Sequence, residues 1–259
     1  LHTNLNLSHI FEGGSSLNLD LDFLIYDNKN PVSYDLTYFD TSGNNLREEL
    51  VFSRKDTPFD IMVAEADYTR ILGESMKLST GLKFAQSSFE NDVLVEENTI
   101  RLPGFTSQSD LEEQIIAAYS QLDYQVSEKT ALNVGLRFEH SHTDLNSSNG
   151  GQVVDRSLNR LFPSLFLAHD INQQNSLNFS YGKRINRPAF SDMAPFVIFL
   201  TPNTSFGGNA ALQPAIAHTF QAGYRYGDFN ITAQYSIEDS SIVRFQNQFN
   251  PGENTQIIV

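Results

Sequence analysis

Apolar residues recur at every second position along most of this chain. Leu17, Leu19, Leu21, Phe23 and Ile25 alternate with Ser16, Asn18, Asp20, Asp22 and Leu24, the pattern of a strand with one apolar and one polar face. Val32, Tyr34, Leu36 and Tyr38 alternate in the same way with Ser33, Asp35 and Thr37. Further on the pattern returns with Met76, Leu78, Leu82 and Phe84, with Leu132, Val134, Leu136 and Phe138, with Leu177, Phe179 and Tyr181, and with Phe229, Ile231, Ala233 and Tyr235. No segment carries a helical period with caps. The chain therefore reads as all-β, with roughly eleven or twelve strands.

The connections separate two solvents that the period alone does not distinguish. Tight polar turns are expected at 27–30, 72–75, 127–130, 172–175 and 227–228, and longer loops at 41–56, 87–114, 144–160, 186–214 and 239–254. Short and long connections alternate, after a shorter first loop at 11–15. Outer-membrane barrels sort their connections this way, with short turns on the periplasmic side and long loops outside; a Greek-key sandwich has no reason to. Tyr26, Tyr124, Tyr224 and Tyr226 fall near the expected short turns, where an interfacial girdle would lie, although Tyr is common in strands generally and the chain has no Trp. The apolar positions would face lipid, and the Asn, Asp, Ser, Gly and Arg positions a wet lumen. A polar interior favours a wide barrel over a small filled one. The expectation is an antiparallel transmembrane β-barrel domain over 1–259, and a partial one, because a bilayer does not tolerate unpaired strand edges.

Composition narrows the partners. Cys is absent, which removes thiolate metal sites and thiol nucleophiles. The net charge of −14 opposes nucleic-acid binding, which needs clustered Lys and Arg. The longest apolar run, Phe196 to Leu200, is too short for a spanning helix, while spanning strands need only about 9–11 residues, half of them apolar. The first residue is Leu1 and no signal peptide is visible, so the chain is expected to begin inside a longer protein.

From Leu161 the order of elements becomes specific. Leu161-Phe-Pro-Ser-Leu-Phe-Leu precedes the turn at 172–175. Ser176-Leu-Asn-Phe-Ser-Tyr-Gly-Lys-Arg-Ile-Asn-Arg-Pro then runs into a loop holding Pro195-Phe and Gly207-Gly-Asn-Ala-Ala-Leu-Gln-Pro, before His218-Thr-Phe-Gln-Ala-Gly-Tyr. With Tyr119-Ser-Gln-Leu-Asp-Tyr and Gly135-Leu-Arg-Phe-Glu ahead of it, this stretch resembles the barrel of TonB-dependent outer-membrane receptors, in the branch that includes starch-utilisation-type importers. The resemblance covers roughly Tyr119 to Tyr235. It implies a 22-stranded barrel, an N-terminal plug and a segment that reaches a TonB-type energy-coupling protein. Neither plug nor coupling segment lies within these residues, so the chain would be about the middle half of such a barrel. The partners implied are outer-membrane lipid, the coupling protein, a nutrient such as a siderophore, glycan or peptide, and a surface lipoprotein. No cofactor is implied.

Individual residues carry weaker signals. Arg184 shares the polar phase of its strand with Asn178, Ser180 and Gly182 and is expected to project into the lumen toward carboxylates. Pro188 follows the paired region, where a missing donor costs nothing, and Gly207 and Gly208 would allow positive φ in a loop that folds back. Arg187, Phe206 and Asn209 are the candidate ligand contacts. His140 and His142 share a strand face near Asp144, a spacing that can hold a metal but that reads more readily as a polar strand end. The acidic residues Glu90, Asp92, Glu96, Glu97, Asp110, Glu112 and Glu113 read as a solvated loop rather than a cation site, since no ordered ligand spacing accompanies them. No nucleophile elbow or phosphate loop is present. The sequence thus predicts an energised import receptor that is not an enzyme. A barrel for adhesion or partner docking is the second reading, and a soluble all-β binding domain the third.

Overall fold

The computed structural model describes residues 1–148, 150–193, 197–201, 204–242, 247–250 and 255–258, with the backbone alone for 197–201, 204–206, 247–250 and 255–258. Its strands are β1 His2–Ile10, β2 Ser16–Phe39, β3 Asn45–Leu72, β4 Met76–Glu97, β5 Ile100–Arg101, β6 Ser107–Ser127, β7 Thr130–Ser147 and β8 Gly151–Asp170. They continue with β9 Asn175–Asn186, β10 Val197–Thr201, β11 Thr204–Gly207, β12 Ala215–Tyr226, β13 Phe229–Asp239, β14 Asn247–Asn250 and β15 Thr255–Ile258. The one short α-helix among the described residues, α1, is Phe190–Met193. No described helix is long and apolar enough to cross a membrane.

Ten strands form one antiparallel meander in the order β1-β2-β3-β4-β6-β7-β8-β9-β12-β13, with β5 paired to β4. The path is open, as expected for an arc of a barrel. A second sheet, β10-β11-β15-β14, is built from the late loop segments.

Register converts the period-two pattern into two surfaces. One row runs Leu7–Leu19–Ala66–Leu82–Ala118–Phe138–Leu161 across seven strands, and another runs Phe179–Ala222–Ala233. Leu5, Leu7, Leu21, Leu82, Ile116, Leu136, Phe138, Leu161 and Ile231 on this outer surface are all exposed. So much contiguous exposed apolar surface is not tolerated in water. On β2 the apolar phase spans Leu17 to Ile25, on β4 Met76 to Phe84, and on β6 Ile116 to Tyr124. Each span is about nine residues, the length needed to cross the hydrocarbon core.

β2, β3, β4, β6, β7 and β8 continue well past that band. They have 24, 28, 22, 21, 18 and 20 residues, against 9–12 for β1, β9, β12 and β13. Beyond the band the same outer phase turns polar: Asp27 and Lys29 on β2, Gln86 to Asp92 on β4, Gln114 to Gln108 on β6, and His140 to Asp144 on β7.

This extension corrects several expectations. Residues 27–30 are not a turn: they lie inside β2 and pair with Asp56, Thr57 and their neighbours on β3. Both faces are wet there, so the alternation fades although the ladder does not. The loop expected at 41–56 shrinks to a turn closed by Asp40, whose Oδ1 accepts from the backbone N–H of Ser42 and Asn44 at 2.8 Å. The loop expected at 87–114 is mostly β4 and β6, and the one at 144–160 mostly β7 and β8. The turns after β3, β6, β8 and β12 fall where the sequence puts them. The connection at 11–15 joins β1 to β2 at the same end of the sheet as those turns, since Ser16 pairs with Thr69. The expected sorting by length is therefore corrected: at the opposite end 40–44 and 148–150 are as tight as 11–15 and 171–174, and within the meander only the connections after β4 and β9 are long.

Candidate binding chamber on the inner face

Opposite the apolar rows lies a polar inner face. Near its edge Asn4 Nδ2 donates to Asp22 Oδ1 at 2.7 Å, and Ser8 Oγ donates to Asn18 Oδ1 at 2.7 Å. In the middle, Lys83 meets Glu65, and Asn133 donates to Asp123. These cross-strand pairs satisfy groups that hydrocarbon would leave bare.

A continuous network climbs this face. Tyr119 donates its hydroxyl to Asp67 Oδ1 at 2.6 Å, and the Arg137 guanidinium lies 5.6 Å from the Tyr119 ring centroid. Arg137 Nη2 donates to Glu139 Oε2 at 2.8 Å. Arg187, entering from the loop after β9, donates to the other Glu139 oxygen and stands 3.4 Å from Glu113 Oε1. Glu139 is only 5% exposed, so its two guanidinium partners are what make an ionised carboxylate tolerable there. Glu113 lies beyond the lipid band. Burial pushes its carboxyl above the ordinary range, and neighbouring Glu139 adds to this, while Arg187 and a hydrogen bond from Thr143 oppose it.

The loop between β9 and β12 folds down onto the same face. Phe190 stacks on Phe89 with centroids 5.9 Å apart, Phe89 on Phe59 at 5.3 Å, and Phe59 meets Tyr26 at 5.2 Å. Met193 is buried with Leu111, Leu145 and Val154, and Ala210 and Leu212 pack against them. The Asn209 backbone N–H donates to the Asp192 carbonyl at 2.7 Å, tying the two limbs of the loop together.

Between loop and sheet is a chamber of about 510 Å³. Register explains its floor. One row is Ile61–Ser87–Glu113–Thr143–Arg156, flanked by Phe59–Phe89–Leu111–Leu145–Val154 and by Val63–Ala85–Ile115–Ser141–Leu158. The roof comes from Pro188, Phe190, Met193 and Pro214. The volume and the mostly apolar lining with a few charged groups are those of a small-molecule site.

The candidates read from the sequence take varied places. Arg187 lines the chamber with its charge engaged by two carboxylates. Asn209 is exposed, and its Oδ1 accepts from the Ala211 backbone N–H at 3.0 Å. The Phe206 side chain lies outside the described residues. Arg184 sits on the inner phase of β9 opposite Ala217, while the carboxylate pairing expected of it is made by Arg187. Pro188 follows the last paired residue, Asn186, and lines the chamber. Gly207 ends β11 opposite Val197 and is not in the positive-φ region, which corrects the expectation of a left-handed turn there; Gly208 is half-buried. Tyr26 belongs to the inner aromatic row rather than to a girdle. His140 Nδ1 bonds Asn159 Oδ1 at 2.9 Å and His142 Nδ1 bonds Ser157 Oγ at 3.0 Å, on the outer face. Among the described residues no group of three or more acidic, His or Cys side chains is placed to hold a metal. Arg156, whose Nη1 donates to the Leu212 carbonyl at 2.8 Å, carries no local signal of its place, because the polar stretch 144–160 reads as a loop and hides its strand phase.

Residues 9–259 match the outer membrane protein beta-barrel family. The chain belongs to that family. No curated protein matches it. The ferric-catecholate import receptor Fiu of E. coli superposes with a TM-score of 0.63 at 15% identity, over 98% of this chain and 42% of Fiu. The ferripyoverdine receptor FpvA of Pseudomonas aeruginosa superposes at 0.59 and 14% identity, over 100% of this chain and 36% of FpvA. At such identity these likenesses establish the fold, that of a TonB-dependent receptor barrel, and the chain spans less than half of either receptor. Membership of the family places this barrel in the cell outer membrane.

Proposed function

We propose that this outer-membrane barrel is part of a receptor that imports a nutrient by TonB-coupled transport, and that it does no bond chemistry. The observation that carries this reading is the chamber on the inner face, roofed by a folded-in loop and fed by a polar wall. An adhesin or docking barrel gains nothing from a roofed, charged chamber on its inner face. Fiu is described as a ferric-catecholate import receptor and FpvA is seen with ferripyoverdine, which supports import of a scarce solute. Under this reading a plug and a coupling segment belong to the same polypeptide, further strands pair with the free edges of β1 and β13, and Arg187 closes the site. The choice among siderophore, glycan and peptide, and membership of the starch-utilisation-type branch with its surface lipoprotein, belong to the same proposal. The test is growth on candidate nutrients in cells carrying the full gene, with and without the energy-coupling motor. Import predicts motor-dependent growth that disappears when the gene is deleted; growth indifferent to the motor contradicts it.

A further inference from the structure

Arg156 stands out among the charged groups of the chamber. Arg187 is held by Glu139 and Glu113, and Arg137 by Glu139. Arg156 has only the Leu212 carbonyl, through one nitrogen, and no carboxylate partner among the described residues. It is half-buried at the end of the row Glu113–Thr143–Arg156. Its remaining donors are not buried and form a planar fork suited to a carboxylate.

The rest of the chamber describes the body of that ligand. Phe89, Leu111, Ile115, Phe190 and Met193 are apolar, so the body is apolar or aromatic, and the volume of about 510 Å³ admits a small solute or one arm of a larger one. Glu113 disfavours a second negative charge beside it, which separates a monocarboxylate from a phosphate monoester. We propose that the chamber binds an organic monocarboxylate by its carboxylate on Arg156, with an apolar or aromatic body against Phe89 and Phe190. The inference rests on the reading that the inner face is a solute path.

The experiment uses the full-length protein in detergent micelles and titrates 3-phenylpropanoate, 3-phenylpropanamide and 2-phenylethyl phosphate by calorimetry. Wild type is expected to bind the acid at least about tenfold more tightly than the amide, the equivalent of one charge-assisted hydrogen bond, and more tightly than the phosphate. Arg156→Gln is expected to erase the acid–amide ratio. Phe89→Leu is expected to weaken acid and amide alike and to leave their ratio intact. Equal binding of acid and amide by wild type, a preference that survives Arg156→Gln, or tighter binding of the phosphate overturns the proposal. Heat-modifiable mobility on gels reports whether each variant is folded; if Arg156→Gln is not, the wild-type ratio decides. Motor-dependent uptake is a separate readout. A barrel that binds the acid without such uptake keeps this site and loses the import reading, while uptake without acid preference does the reverse.

Discussion

Adding one methyl group at Gly81 tests the packing of the inner face. Gly81 pairs with Asp67 on one side and Tyr119 on the other. A Cβ built there would stand 2.5 Å from Asp67 Oδ1 and 2.5 Å from Tyr119 Cζ, a distance no real side chain accepts. The Tyr119 ring must swing away, and the 2.6 Å bond from its hydroxyl to Asp67 is lost. Losing a hydrogen bond to a charged group costs about 1.5–3 kcal/mol, and overpacking adds about 1–3 kcal/mol. The reduced freedom of the unfolded chain returns only about 0.4–1 kcal/mol. Gly81→Ala is therefore expected to destabilise by about 1.5–5.5 kcal/mol. At Gly182, on the inner phase of β9, an added Cβ meets nothing within 4 Å, so Gly182→Ala is expected to be neutral or slightly stabilising. The assay is urea unfolding of the full-length protein in lipid vesicles, read by gel mobility and circular dichroism. In a double-mutant cycle, Tyr119→Ser should reduce the cost of Gly81→Ala to below about 1 kcal/mol. Equal effects of alanine at Gly81 and Gly182, or additivity with Tyr119→Ser, would refute the reasoning.

Two further outcomes follow from the network around Arg187. Arg187→Gln leaves Glu139 with Arg137 alone and removes the positive charge beside Glu113, so the loop over the chamber should open more often; protease added to intact cells is expected to cut within 187–214 faster than in wild type, and an unchanged rate would separate Arg187 from loop closure. Glu113 has its carboxyl raised chiefly by burial, with Arg187 and Glu139 as its charged neighbours and Arg156 two strands away on the same chamber floor. In the folded protein it takes up its proton at a higher pH than when unfolded. As pH falls from neutral through this raised range, a negative neighbour of any bound carboxylate is neutralised, and binding of 3-phenylpropanoate should tighten; Glu113→Gln should flatten that dependence, and binding that weakens on mild acidification would contradict the sign.

How much of this was legible in the sequence depends on where water lies. Inside the lipid band one face of each strand is apolar, so Leu132 to Phe138 and Phe229 to Tyr235 announce their strands and phases. Above the band the outer face is wet too, so the period of two fades there. Residues 27–30, with Asp, Asn, Lys and Asn, look like a turn and are held extended only by pairing with β3. The acidic residues between 90 and 113 likewise looked like a solvated loop, yet Glu90, Asp92, Asp110 and Glu112 face outward from paired strands while Glu113 faces inward. The chamber was hidden for a related reason. Ile61, Ser87, Glu113, Thr143 and Arg156 become neighbours only through the register of four strand pairs, which no local pattern encodes. What could be read locally was the break at Arg187-Pro188, where the last inner strand residues give way to the loop that closes the site.

The central claim is that the exposed apolar rows face lipid while their neighbours face an aqueous interior. The chain has no Cys, so single cysteines can be placed freely. Leu82→Cys, Ala118→Cys and Leu136→Cys probe the outer phase, Ser79→Cys, Gln121→Cys and Asn133→Cys the inner phase, and Glu112→Cys and Ser157→Cys the outer phase above the band. In native membranes, the first three are expected to react with a lipid-confined probe and to resist a water-soluble maleimide. The inner three should show no reaction with the lipid-confined probe, and Glu112→Cys and Ser157→Cys should be labelled by the maleimide from outside intact cells. Ready reaction of Leu82→Cys and Leu136→Cys with the water-soluble reagent, without alternation along β4 and β7, would contradict the account.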